Sequence, residues 1–193
     1  MQSLAFFLPQ LWIPSFAKAL DLPSFAGPLG LCMLNIGAIG GYLLHGFLVD
    51  RFEVTAVMLL SSTVAGISIF VFWGLSKSQP MLYVFALLWG VSGGGFSATW
   101  SGCARVMGRS QSNPGDAGYG LGIDTGLVIG LMCISKGTAS LISGPISEQL
   151  LMPVPGTAGS TAYATQYGSI IVFAGVMAVL GGIPFLGKCF KVL

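Results

Sequence analysis

Apolar residues run in six long blocks along this chain, at about 2–20, 27–48, 54–75, 81–104, 122–150 and 167–187. A helix needs about 20 apolar residues to cross the hydrocarbon core of a bilayer, so each block has the reach of a membrane-spanning helix. None shows the ten-residue alternation of barrel strands, which excludes a transmembrane β-barrel. Between the blocks lie breaker-rich pieces: DLPSFAGP at 21–28, SKSQP at 76–80, RSQSNPGDAG at 109–118 and PVPGTAGSTAYATQ at 153–166. Lipid cannot satisfy irregular backbone, so these pieces belong at the membrane faces. The pattern predicts an all-α integral membrane protein, one domain over 1–193 with six transmembrane helices.

Composition sharpens this reading. The chain has 193 residues, 54% hydrophobic and 7% charged. A soluble domain carries about 25% charged residues. Mean hydropathy is +0.85, and a surface that apolar needs lipid as its solvent. The eight basic residues never cluster into a patch, and no nucleic-acid partner is expected. The 29 glycines suit membrane helices, where small residues let backbones approach closely. Gly37 and Gly41, Gly90 and Gly94, and Gly122, Gly126 and Gly130 recur every four residues. Cys32, Cys103, Cys133 and Cys189 are scattered, mostly within apolar runs, without zinc-ligand spacing. Buried apolar thiols are expected, and no metal or cofactor.

Lysine and arginine set the expected orientation. With the N-terminus inside, the inner face receives Arg51, Arg105, Arg109, Lys188 and Lys191, and the outer face Lys18 and Lys77. The positive-inside rule therefore predicts cytoplasmic N and C termini. Ser15-Phe16-Ala17 is similar to a signal-peptidase site, but no basic residue precedes it and Pro9 interrupts the run. A membrane helix bent at its prolines is the expectation.

Charge gathers at one turn. Asp50, Arg51 and Glu53 lie together in GFLVDRFE, where the second block gives way to the third. The spacing of Gly46, Leu48, Asp50 and Arg51 resembles the cytoplasmic loop signature G-x-L-x-D-R of the major facilitator superfamily. It is equally that of a solvated turn between two helices. Other segments add to the likeness. IPSFAKALDL followed by GLCMLNIGAIGGYLLHGFLVDR resembles helices seven and eight of the monocarboxylate-transporter-like branch, especially its fungal members. LLWGVSGGGFSATWSG resembles the tenth helix. GLMCISKGTASLISGPI resembles the eleventh, which ends in a turn matched by Gly144-Pro145-Ile146.

This resemblance implies the C-terminal six-helix half of a twelve-helix transporter, with the N-terminal half absent. It implies alternating access for a small solute, monocarboxylate-like or related, in the plasma membrane, with the missing half or another membrane bundle as partner. It also implies two cavity arginines that this chain lacks, their positions held by Tyr42 and Val128. The alternative is a non-transporting membrane fragment or a regulatory protein that binds a membrane partner.

Polar residues at membrane depth are the candidates for chemistry. Lys136, mid-block in CISKGTAS, offers a positive charge to an anionic solute, or is a structural lysine that pairs with a carboxylate or snorkels. Unpaired, it would cost about 2.5–3.5 kcal/mol on insertion scales. Asp124 lies three helical turns away, out of reach within one helix. Asn35 either touches solute or bonds across to another helix. Tyr42 keeps a hydrogen-bond donor in the substrate path but loses a fixed charge. His45 is the candidate for proton coupling, or a structural histidine. Catalysis is not expected. GYGLG at 118–122 lacks the strand and acidic residue of a nucleotide loop, and Ser101 with His45 lacks a nucleophile elbow.

Overall fold

The computed structural model describes residues 2–104, 125–151 and 167–182. All regular structure among them is helical. The helices are α1 (Gln2–Ala19), α2 (Ala26–Arg51), α3 (Val54–Trp73), α4 (Gln79–Ala104), α5 (Thr125–Leu151) and α6 (Gly168–Leu180). Each coincides with an apolar block, with α2, α4 and α5 running slightly past the ends of theirs. Four of them, α2 to α5, are long and apolar enough to cross a membrane by length and composition. The helix α1 has 18 residues and α6 has 13, and the predicted continuation of α6 to 187 lies outside the described residues. So do Asp124, Gly122, Cys189, Arg105, Arg109, Lys188 and Lys191, together with the loops at 109–118 and 153–166.

Local sequence explains the ends. Asp21 adopts a left-handed conformation at φ 53°, with the Leu22 N–H donating to the Ala17 carbonyl at 3.1 Å. This is the Schellman stop that glycine usually provides and aspartate tolerates. Pro23 then blocks continuation. Pro9 and Pro14 lie inside the unbroken α1. Pro80 sits in the first turn of α4 after Ser78, where a missing N–H is harmless.

Two ends differ from the sequence reading. The helix α2 continues through Asp50 and Arg51, so the Gly46, Asp50, Arg51 motif is the last turns of a helix rather than a loop. Only Phe52 and Glu53 join α2 to α3. No proline or glycine intervenes between Phe47 and Arg51 to end the helix sooner. The helix α5 likewise runs past Gly144-Pro145-Ile146 to Leu151 instead of ending there. Around Pro145, the hydroxyls of Ser143 and Ser147 donate to the Ser140 and Gly144 carbonyls, both at 2.7 Å.

Packing centres on α1, α3, α4 and α6. The core holds Leu8, Ile13 and Phe16 of α1, Ile69 and Trp73 of α3, Leu82, Phe85 and Trp89 of α4, and Ile170 and Ile171 of α6. Trp73 stacks on Phe85 at 5.2 Å and Phe85 on Trp89 at 6.4 Å. Phe6 of α1 extends the ladder, stacked on Trp89 at 6.4 Å. Offset stacking of this kind adds about 0.5–1.5 kcal/mol per pair beyond area burial.

Against this core, α2 lies on α4 through glycine. An added Cβ at Gly37 would meet the Leu87 carbonyl oxygen at 2.5 Å, and one at Gly94 would meet the Ala38 Cβ at 2.6 Å. Gly41 and Gly90 abut the backbone of Val91 and Leu34 in the same seam. The third glycine stripe behaves otherwise: a Cβ at Gly130 would meet nothing within 4 Å among the described residues. Only 11% of the most apolar stretch of α5 is buried, against 33% to 50% in α2, α3 and α4. Its Leu127, Leu131, Ile134 and Leu141 are exposed.

Candidate functional site

The helix α4 is irregular at its middle. It widens into a π-helical turn over Gly90–Gly94 and tightens into a 3-10 turn over Phe96–Ala98. Serine and threonine hydroxyls take up carbonyls along this stretch. Ser92 donates to the Leu88 carbonyl at 2.8 Å, Thr99 to Phe96 at 2.7 Å, and Ser61 of α3 reaches across to Ser92 at 2.8 Å. Wide turns of this type gather at functional sites.

Lys136 of α5 points at that stretch. Its Nζ donates to Ser97 Oγ at 2.9 Å. The ammonium lies over the Phe6 ring at 5.4 Å and the Trp100 ring at 5.6 Å. It borders a small, partly open recess of about 10 Å³, room for about one water, whose other walls are Ser3 and Phe6 of α1 and Gly93, Phe96, Ser97 and Trp100 of α4. Three helices thus converge on one cation. No carboxylate lines the recess among the described residues. Of the two structural roles foreseen for Lys136, pairing with a carboxylate finds no acidic partner there. A serine hydroxyl and two ring faces hold the ammonium instead. Cation–π contacts contribute about 0.5–1 kcal/mol when exposed and about 2 when desolvated.

The other candidates are not gathered around Lys136. Asn35 is exposed, and its amide donates to the Leu31 carbonyl of its own helix at 2.8 Å. Among the described residues it makes no cross-helix bond, and its side chain lies off the glycine face that packs on α4. Tyr42 is 44% exposed, also off that face. His45 is buried, with Nδ1 at 2.9 Å from the Gly41 carbonyl, and its ring fills the space beside Gly95. Nδ1–H is the donor there, since a carbonyl only accepts. At the end of α2, Arg51 lies over the Phe47 ring at 5.2 Å. A Cβ at Gly46 would meet nothing within 4 Å among the described residues, so no described helix packs closely there.

The cysteines also differ from expectation. Cys32 and Cys133 are exposed and Cys103 is half-buried, all as free thiols. In a membrane bundle an apolar run can face lipid as well as core, so apolar surroundings in sequence do not imply burial.

Sequence reasoning missed Ser97, Phe6 and Trp100 as partners of Lys136. Their only signal was polarity and aromaticity within apolar runs.

Two relatives are similar over most of the chain. It is 22% identical over 180 residues, 92% of its length, to the MFS-type transporter hasB of Aspergillus fumigatus. It is 26% identical over 166 residues, 86% of its length, to the MFS transporter asaE of Aspergillus flavus. The aligned stretches make up 36% and 32% of those proteins, so the chain spans about a third of the length of the curated relatives it matches. No family model matches the chain.

Proposed function

We propose that the chain is six membrane helices of a major-facilitator-type solute transporter, of the monocarboxylate-transporter-like branch, that works by alternating access with a second helix bundle. The observation that carries this reading is Lys136. A cation held near the middle of an apolar helix, against a partly open aromatic recess at an irregular helix, suits a solute path better than a lipid-facing structural role. The low-identity likeness to two transporters, across most of the chain, supports the same class. The α2–α4 glycine seam suits helices that pack closely while still able to slide.

In this reading the solute is a small organic anion, the membrane is the plasma membrane, and both termini are cytoplasmic. Asn35 and Tyr42, exposed on α2, face the second bundle or the path between the bundles. His45 is the proton-coupling candidate. With Nδ1–H committed to Gly41, Nε2 is the atom that would take the proton.

The test is uptake of labelled organic acids by cells expressing the full reading frame that contains this chain. Six further hydrophobic segments in frame, with uptake that falls at least tenfold in Lys136→Ala, are the expected results. Uptake unaffected by that substitution removes Lys136 from the path. A clear uniport signal from the 193-residue chain as a monomer in proteoliposomes refutes the need for a second bundle.

A further inference from the structure

The recess between α1, α4 and α5 is about 10 Å³, the size of a single water. We propose that it is a binding site for one ordered water, which joins Lys136 of α5 to Ser97 of α4 and Ser3 of α1. This goes beyond the transporter reading and does not depend on it.

Size decides the ligand class first. A carboxylate carries three heavy atoms and a ring carries more, so neither enters a recess with room for about one. A water held in such a space needs about two to four polar partners. The walls supply three polar side chains, Ser3, Ser97 and Lys136, each from a different helix.

Those side chains have hydrogen-bonding capacity that no described residue takes up. The ammonium has three N–H donors, and one of them reaches Ser97 Oγ at 2.9 Å. The Phe6 and Trp100 rings lie 5.4 Å and 5.6 Å from Nζ and are weaker partners than a hydrogen-bond acceptor. Elsewhere in the bundle, hydroxyls such as those of Ser68, Ser92 and Thr138 donate to a carbonyl one turn back. Ser3 stands in the first turn of α1, where the helix has no such carbonyl to offer. The Ser97 hydroxyl accepts from Lys136 and donates to no described residue. One water answers all three groups. It accepts from the Lys136 ammonium and the Ser97 hydroxyl, and donates to Ser3 Oγ.

The setting favours that water. Lys136 lies midway along an apolar helix, where an ammonium with a single hydrogen bond is costly. No acidic side chain lines the recess among the described residues. A water-mediated hydrogen bond is nearly as good as a direct one. It also supplies a joint between three helices at the point where one of them needs it. Only 11% of the most apolar stretch of α5 is buried, so side-chain packing holds that helix weakly.

The test is a density map of the full reading-frame product in lipid nanodiscs, resolved well enough to show ordered water. The expected result is one peak of water size, about 3 Å from Lys136 Nζ, Ser97 Oγ and Ser3 Oγ alike. A well-ordered Lys136 without that peak overturns the site. So does a larger density, or a carboxylate of a second bundle lying against Nζ. A second measurement reads the bridge through energetics. No direct hydrogen bond joins Ser3 to Lys136, yet a shared water couples them. In SDS unfolding of the same product, Ser3→Ala should lower the folding equilibrium constant about two- to tenfold. In a Lys136→Met background the same substitution should change it by less than about twofold. Equal effects of Ser3→Ala in the two backgrounds overturn the bridge. The map needs only the wild-type protein, so it decides the site even where a variant fails to fold.

Discussion

Gly37 and Gly40 lie three residues apart on α2, yet alanine should have opposite effects at the two. At Gly37 the new methyl would sit 2.5 Å from the Leu87 carbonyl oxygen and 3.2 Å from the Leu87 carbonyl carbon and Cα. All three are backbone atoms, so no side chain can swing aside. To move from 2.5 Å to the 3.4 Å of ordinary contact, α2 and α4 must separate there by about 0.9 Å. A gap of about 0.5–1 Å forfeits a quarter to a half of each atomic contact along the seam. Overpacking of this kind costs about 1–3 kcal/mol. Alanine offsets part of that, because it is better than glycine in a helix interior by about 0.5–1 kcal/mol. The net expectation for Gly37→Ala is a loss of up to about 2.5 kcal/mol.

At Gly40 the same methyl meets nothing within 4 Å among the described residues, so only the helix preference acts. Gly40→Ala should be neutral or more stable by up to about 1 kcal/mol. Unfolding of the chain in mixed micelles by added SDS, followed by helical circular dichroism, compares the pair directly. Equal midpoints for the two variants, or a Gly37→Ala chain more stable than wild type, would refute the backbone-contact seam.

Three further outcomes follow from the same packing. Trp73 is fully buried, stacked on Phe85, and its indole N–H has no acceptor among the described residues. Trp73→Ala should cost about 3–5 kcal/mol in the same SDS unfolding, and Trp73→Phe much less, since the ring stays and no hydrogen bond is lost. Ser61→Ala removes the hydroxyl that bonds the Ser92 carbonyl. It should cost about 0.6–1.5 kcal/mol and speed amide exchange within Gly90–Gly94 more than in the first turns of α4. Gly95→Ala would drive a methyl into the His45 ring and the Gly41 carbonyl. It should destabilise by about 1–3 kcal/mol, and unchanged unfolding would show that the ring has room to move.

Helix positions were legible because lipid imposes one simple demand, a long apolar run, and four of the described helices, α2 to α5, meet it. Partners were less legible. The depth of Lys136 could be read from its place in an apolar run, but its contact with Ser97 spans 39 positions. That contact depends on how α4 and α5 come together. Spacing has a matching weakness. Glycines every four residues form a tight seam on α2 and α4 but none at Gly130, because periodicity shows that a smooth face exists and not that a helix covers it. Asn35 illustrates the remaining gap. A polar residue at membrane depth needs a hydrogen bond, and the carbonyl one turn back in its own helix satisfied that need locally.

The irregular middle of α4 ties these threads together. A π turn underwinds a helix and a 3-10 turn, at 3.0 residues per turn against 3.6, overwinds it. In succession the two nearly cancel, which explains why the inward face keeps a helical rhythm through Leu82, Phe85, Trp89, Gly93, Phe96 and Trp100 across the disturbance. What changes is the backbone. The irregular stretch has hydroxyl partners at its carbonyls, supplied by Ser61, Ser92 and Thr99. It also has little bulk, since Gly90, Gly93, Gly94 and Gly95 make room for α2 on one side and the recess on the other. The same run of glycines that lets α2 approach leads into the turn that carries Ser97 and Trp100 to Lys136.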